Sequence, residues 1–312
     1  MKLGTIACLH GNLKNAREFA AKFKKADVDA IVLAGDIAKD EKQKQNLTKI
    51  LKIFSKTGKT VLVVPGNHEQ YDAYYGAIKK FKRNSLIIDT TKKSRLHILG
   101  HPIVFLPGSG IGSAPGAGFR LLRDKKLLKS FRRRIKLKRA HFWGKIIPTY
   151  LNDLAKLMRK DTIVIAHSPV KFSSPDGIDV AVFGEPKKTF LIIKRHKKLS
   201  KTTGGSVMTK GMVVFTLDEA KHLIRSGYPV VIKKKNVGDP ELRKLFRKKG
   251  ITKFICGDIH EAGGRAVTWK GKSIKQNKWS KELFYNCSPG MEGRAGIVEF
   301  LHNTARYKNV KI

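Results

Sequence analysis

Acidic side chains are scarce in this chain: 24 Asp and Glu stand against 65 Lys and Arg among 312 residues, a formal charge of +41. A surface so basic attracts polyanions, whether nucleic acid, an anionic membrane or a phosphorylated substrate, or is simply the solvated face of a lysine-rich chain. Cysteine is almost absent. Cys8, Cys256 and Cys287 are odd in number and widely spaced, which argues against a disulfide framework and suits free thiols in a cytoplasmic protein. No apolar run is long enough to cross a bilayer, so a soluble protein without a membrane partner is expected. Aromatic residues, 8% of the chain, rarely interrupt the basic stretches 120–145, 187–201 and 233–249. That sparseness argues against a channel in which single-stranded bases stack. The glycines of 108–118 precede no Lys-Ser/Thr pair, which argues against a phosphate-cradling P-loop. Ser168 lies in no nucleophile elbow, so serine-hydrolase chemistry is not expected. No internal repeat is present.

Apolar residues, 41% of the chain, suffice for a large core. Residues 3–9 read as a buried strand, Ala16, Phe19, Ala20 and Phe23 recur at helical spacing, and 30–34 forms a second strand. Ile50, Leu51 and Phe54 then mark a helix before a third strand at 61–64. Such alternation predicts a layered α/β fold with parallel strands. Strand patterns return at 162–166 and 254–256. The helix before the latter is announced by Asp239-Pro240-Glu241: a cap, a first-turn proline and an acidic first turn. Between them, 105–118 predicts a Gly/Pro/Ser-rich loop near the crevice. The stripe Leu121, Leu122, Leu128, Phe131, Ile135, Phe142 and Trp143 predicts a basic amphipathic helix or helix pair over 120–145. Residues 182–235, Lys-rich and weakly periodic, predict a basic insertion within a single domain spanning 1–312. Residues 266–269, 283–287 and 295–301 predict antiparallel strands.

Five times an apolar run breaks into a short loop carrying a residue that binds divalent metals through oxygen, nitrogen or sulfur. The loops are Cys8-Leu9-His10-Gly11-Asn12, Gly35-Asp36, Gly66-Asn67-His68-Glu69, His167-Ser168-Pro169 and Gly257-Asp258-Ile259-His260. In α/β folds, loops at the carboxyl ends of strands converge on one crevice. Each residue has a bland alternative: Cys8 as a small core residue, and His10, Asn67 and His167 as loop-capping or satisfied polar groups. The remaining histidines show no ligand-like spacing.

In this order, the loops resemble the signature of the calcineurin-like metallophosphoesterase superfamily: D-x-H, G-D, G-N-H-[DE], a lone His, then G-H-x-H. The match runs from Cys8 to Gly290 and includes Asn286-Cys287-Ser288-Pro289-Gly290 near the end. The resemblance implies a four-layer α/β/β/α sandwich of two mixed sheets flanked by helices. It implies two divalent metal ions (manganese, iron or zinc), with His10 and His260 on the first, Asn67 and His167 on the second, and Asp36 bridging them. A shared carboxylate would offset the repulsion of two cations about 3.5–4 Å apart. By the same resemblance a metal-bound hydroxide attacks phosphorus, His68 protonates the departing oxygen and Glu69 orients the His68 ring. Two positions depart from the signature. Cys8 stands where the first Asp is usual, and Asp258 where the first His of G-H-x-H is usual. If both ligate, the set gains a soft thiolate that favours zinc or iron over magnesium, and the second metal gains a carboxylate. The expected function is hydrolysis of a phosphomonoester or phosphodiester. The alternatives are a nuclease or nucleic-acid phosphatase using the basic surface, and a degenerate module that binds a polyanion or a partner protein without catalysis.

Overall fold

The computed structural model describes residues 1–39, 42–110, 118–129, 146–188, 190–191, 207–208 and 214–312. The chain divides into two compact units, Met1–Asp179 with Gly238–Ile312, and Val180–Val237. Two six-stranded sheets form the larger unit. The first begins with β1 (Lys2–Ile6), β2 (Ala30–Ala34), β3 (Thr60–Val64) and β4 (Ile87–Asp89). The second holds β5 (Arg95–Ile98), β6 (His101–Leu106), β7 (Ile163–Ala166), β8 (Lys253–Cys256), β9 (Ala266–Val267) and β10 (Leu283–Asn286). The chain then returns to the first sheet as β11 (Arg294–Leu301) and β12 (Thr304–Lys311). The strand orders are β12-β11-β1-β2-β3-β4 and β9-β10-β8-β7-β6-β5.

Parallel strands run from β1 to the edge strand β4 in the first sheet and occupy the middle of the second, as β6, β7, β8 and β10. Strands buried on both faces read as continuous apolar runs, and β2, Ala-Ile-Val-Leu-Ala, is buried along its whole length. The other strands pair antiparallel: β11 and β12 in the first sheet, β5 and β9 in the second. The expected antiparallel carboxyl-terminal strands are therefore present, except that β10 also pairs in parallel with β8.

Three apolar interfaces make the layers. Leu3, Val32, Leu62, Phe105, Ile165, Ile255 and Val298 meet between the sheets. On the outer side of the first sheet, α1 (Leu13–Lys25), α2 (Gln43–Ser55) and α3 (Tyr71–Ile78) bury Phe19, Phe23, Ile50, Phe54 and Tyr74 against Ile31, Leu33, Val61 and Val63. On the outer side of the second, the helices Leu151–Leu154 and Pro240–Lys249 bury Leu151, Leu242 and Phe246 against Val164 and Phe254. The architecture is the expected four-layer α/β/β/α sandwich of two mixed sheets. Asp239 caps its helix as expected: Oδ1 accepts from the Glu241 and Leu242 amides, with Pro240 at the first position.

The basic stretch 120–145 departs from expectation at its start. Gly118–Leu122 is a strand, paired in parallel with Ile146–Tyr150, and helix begins at 125. Leu121 and Leu122 are adjacent, and adjacent apolar residues suit either period; a partner strand 28 residues away, Gly118 against Ile146, decides the matter. The rest of that stretch, 130–145, lies outside the described residues, as does most of 187–201. Of the loop expected at 105–118, residues 111–117 lie outside the described residues, Phe105 and Leu106 belong to β6, and Gly118 opens the next strand.

The smaller unit pairs Val180–Pro186 antiparallel with Val230–Asn236. Its helix, Leu217–Arg225, starts with a capping box between Thr216 and Glu219. Phe215, Ala220, Leu223 and Val230 form its small buried cluster.

Candidate metal centre

All five loops leave carboxyl ends of parallel strands and meet in one place. Cys8 and His10 follow β1, Asp36 follows β2, and Asn67, His68 and Glu69 follow β3. His167 follows β7, and Asp258 and His260 follow β8. Main-chain bonds lock the loops together: Cys8 N donates to Gly35 O at 2.9 Å, His10 N to Asp36 O at 2.9 Å, and Gly257 N to His167 O at 2.9 Å. Four of these residues hold positive φ without being glycine: Cys8 (54°), His10 (46°), Asp36 (51°) and Asp258 (72°). Such backbone persists where the surroundings over-determine it, and it concentrates at functional sites. The motif glycines make room for the donors. A Cβ at Gly66 would collide with Asp36 Oδ1, and one at Gly35 with the His167 ring.

Two donor sets result. In the first, donor atoms of Cys8, His10 and His260 all lie within 4.8 Å of one another. His10 is largely buried, and burial lowers its ring pKa to about 3, so the imidazole is neutral. Its Nδ1 is buried without a hydrogen-bond partner. Burial also lowers the His260 pKa, opposed by Glu292 and Asp258; Glu292 Oε1 lies 3.7 Å from His260 Nδ1. Neutral imidazoles with open nitrogens are ready ligands.

In the second set, donor atoms of Cys8, Asp36 and His167 lie within 4.8 Å of one another. Asp258 joins them, its Oδ1 3.7 Å from His167 Nε2. His167 is fully buried. Its Nδ1 lies 2.8 Å from Ala34 O, so that nitrogen carries the proton and Nε2 faces the carboxylates. Nε2 is 3.1 Å from Asp36 Oδ2 but lacks hydrogen-bond geometry to any partner. Burial disfavours a charged ring here, yet Asp36 and Asp258 outweigh it and raise the His167 pKa to about 10. Burial would raise Asp36 too, but His167, His68 and His10 hold it below the usual carboxylate range. Asp258 goes the other way, raised chiefly by burial. Buried carboxylates that force a proton onto a buried histidine show that the place calls for positive charge. The orphaned Nε2, the orphaned His10 Nδ1 and the mixed N, O and S donors fit divalent cations.

The Cys8 thiol is fully buried, and burial, then Asp36 and Asp258, push its pKa well above the ordinary range. All three cysteines are free. Asn67 is held by Ser109, whose Oγ lies 2.8 Å from Asn67 Oδ1. The His68 side chain keeps 40% of its surface exposed, with Nε2 3.8 Å from Asp36 Oδ2 and its ring edge against His10 at 5.3 Å.

Glu69 differs from the sequence expectation. Its carboxylate is buried and accepts from the amides of Asp36, Ile37, Ala38 and Gly66, at 2.6 to 3.1 Å. No hydrogen bond to the His68 ring appears among the described residues. Burial and the nearby Asp36 charge raise its pKa to about 7, against the pull of the amides. Glu69 shapes the Asp36 loop rather than orienting His68; a four-residue motif cannot show which way its last side chain turns. Ser109 and Arg120 were not singled out by the sequence. Arg120, 1% exposed, lies close enough to Asp258 and Asp36 for both carboxylates to favour its charge, although burial lowers its pKa overall. Its place on a strand, rather than on a basic helix, had no local signal.

With this geometry in view, the family model for calcineurin-like phosphoesterases matches residues 1–193. The chain belongs to that family. Its members are metal-dependent phosphoesterases, and the donor groups present here agree with that dependence. Among solved structures, the chain is similar to TT1561 of Thermus thermophilus, at 10% identity and a TM-score of 0.52, over 99% of both chains. A dimetal phosphatase from Danio rerio aligns at 12% identity with a TM-score of 0.49, over 100% of this chain and 98% of that one. No curated protein matches the sequence. Among the described residues, no helix is long and apolar enough to cross a membrane.

Proposed function

We propose that this phosphoesterase hydrolyses a phosphomonoester or phosphodiester in a centre for two divalent cations. The observation that carries the reading is the pair of donor sets, four of whose residues sit in left-handed backbone, with the buried Nε2 of His167 left open between two carboxylates. Cys8, His10 and His260 would hold one cation; Asp36, Asn67, His167 and Asp258 the other. When bound, such cations supply activation of a water molecule and neutralisation of charge on the phosphoryl oxygens.

The chain's own residues do the rest. Ala34 O fixes the His167 tautomer, and Ser109 orients the Asn67 carbonyl oxygen. Glu69 holds the Asp36 main chain by accepting from its amide, and the His68 amide, which donates to Asp36 Oδ1 at 3.1 Å, holds the Asp36 carboxylate. His68, part-exposed beside His10, is positioned to give a proton to the departing oxygen. Arg120 adds buried positive charge near the carboxylates, suited to an anionic substrate.

Protein supplied with manganese, zinc, iron or nickel is expected to hydrolyse mono- or bis-(p-nitrophenyl) phosphate, and the preferred ester defines the class. No turnover with any of the four metals would contradict the proposal.

A further inference from the structure

Cys8 belongs to both donor sets, and among the described residues it is the one side chain that does. Asp36, the bridge implied by resemblance, falls only in the second set, with Cys8 and His167. The sulfur therefore lies within 4.8 Å of donor atoms of His10 and His260 and also within 4.8 Å of donor atoms of Asp36 and His167. Its place is fixed by main chain on both flanks: Cys8 N donates to Gly35 O at 2.9 Å, and Cys8 O accepts from Met291 N at 2.9 Å. Cys8 also sits in left-handed backbone, at φ 54°, as do His10, Asp36 and Asp258 around it.

The charge count points the same way. The family signature offers two anionic donors, the first-motif Asp and the G-D Asp. This chain offers three: Cys8, Asp36 and Asp258. Asp258 restores the carboxylate that Cys8 displaced, but on the other side of the centre, against His167. Two divalent cations so close together repel, and each anion shared between them or bound beside them offsets part of that repulsion.

We infer that Cys8 is a thiolate ligand shared by both cations, and that it makes the centre selective for thiophilic ions, zinc or ferrous iron, over manganese and magnesium. The inference rests on the two-cation reading above. On binding, the Cys8 S–H bond breaks, sulfur–metal bonds form, and the proton passes to solvent; no oxidant or reductant takes part. The soft sulfur favours zinc and ferrous iron, whereas hard oxygen donors suit manganese and magnesium.

The test uses the full chain, stripped of metal and titrated with cobalt(II) under reducing, anaerobic conditions, with bound cobalt measured separately. The expected result is a near-ultraviolet thiolate-to-cobalt charge-transfer band that grows until two equivalents are bound. The band should vanish in Cys8→Ser and persist in Cys256→Ser and Cys287→Ser. In Cys8→Asp, a residue that tolerates positive φ better, the zinc-to-manganese affinity ratio should fall by about ten-fold or more. Two cobalt ions bound to the wild-type chain without the band would overturn the thiolate assignment and leave the phosphoesterase reading standing. A band that saturates at one equivalent of two would overturn the sharing. Failure to bind cobalt at all would overturn both the inference and the proposal beneath it.

Discussion

The two donor sets differ in how they meet water, and the difference divides their tasks. The first, around His10 and His260, is half-buried and built on neutral imidazoles. The second, around His167, Asp36 and Asp258, is deeper and charged: a fully buried ring is held as a cation by two carboxylates. A more open set, whose imidazoles are neutral, is suited to exchange its ion and present it to a substrate. A buried, charged set is suited to a structural role, because without a cation it leaves two like-charged carboxylates that a proton on His167 must balance. A centre of this kind combines a working face with an anchored base.

The comparison breaks most sharply at Asp36. Asp36→Asn removes the negative charge facing His167 and His68, and turnover is expected to fall to the metal-free background while far-ultraviolet circular dichroism stays native. Retained activity would show that the second set does not anchor the centre. Next comes His68, which stands beside both sets. His68→Gln should lower kcat by about 100-fold or more with metal content unchanged. A loss of bound metal instead would make it a ligand.

Opposite pH dependences should separate the sets in the metal-free protein. His10, lowered to about 3 from an ordinary 6.5, stays neutral in the fold, so the unfolded chain takes up the proton first. Its contribution to stability is lost as pH falls from 6.5 towards 3. His167, raised to about 10, does the reverse: its contribution is complete below pH 6.5 and is lost as pH rises through 10. Urea midpoints measured across pH should therefore fall on the alkaline side in wild type and flatten there in His167→Gln, while His10→Gln flattens the acid side. Identical profiles for both variants would erase the distinction.

Smaller effects sharpen the picture. Glu69→Gln puts an NH2 group against main-chain amides that now share a carboxylate, and should cost about 2 kcal/mol of stability by denaturant titration. A neutral result would mean that the buried carboxylate is already protonated. Ser109→Ala removes the hydroxyl on Asn67 and should weaken one of the two cations by about ten-fold in a metal titration, leaving the other unchanged.

A layered α/β fold was legible because parallel strands are written in continuous apolar runs, as at β2 and β3, and the crossing helices in a 3.6-residue period, as at Phe19 and Phe23, whereas the four-layer sandwich was implied by the family resemblance alone. The five loops were legible because each donor follows directly on such a run. What stayed hidden depends on distance in sequence. Gly118–Leu122 became a strand through pairing with Ile146–Tyr150, which no local pattern reports. Ser109 lies 42 residues from the Asn67 it holds. Glu69 belongs to a recognisable motif, but the direction of its carboxylate, onto the Asp36 loop, is set by tertiary packing alone. That Cys8 rather than Asp36 is common to both sets is likewise a matter of three-dimensional distance.

The most direct measurement is anomalous diffraction from crystals of protein purified with its native metal, collected above and below the absorption edges of zinc, iron and manganese. The account predicts two anomalous peaks, one among Cys8, His10 and His260 and the other among Asp36, Asn67, His167 and Asp258. No peak in the crevice of crystals soaked with each of the three metals would contradict it.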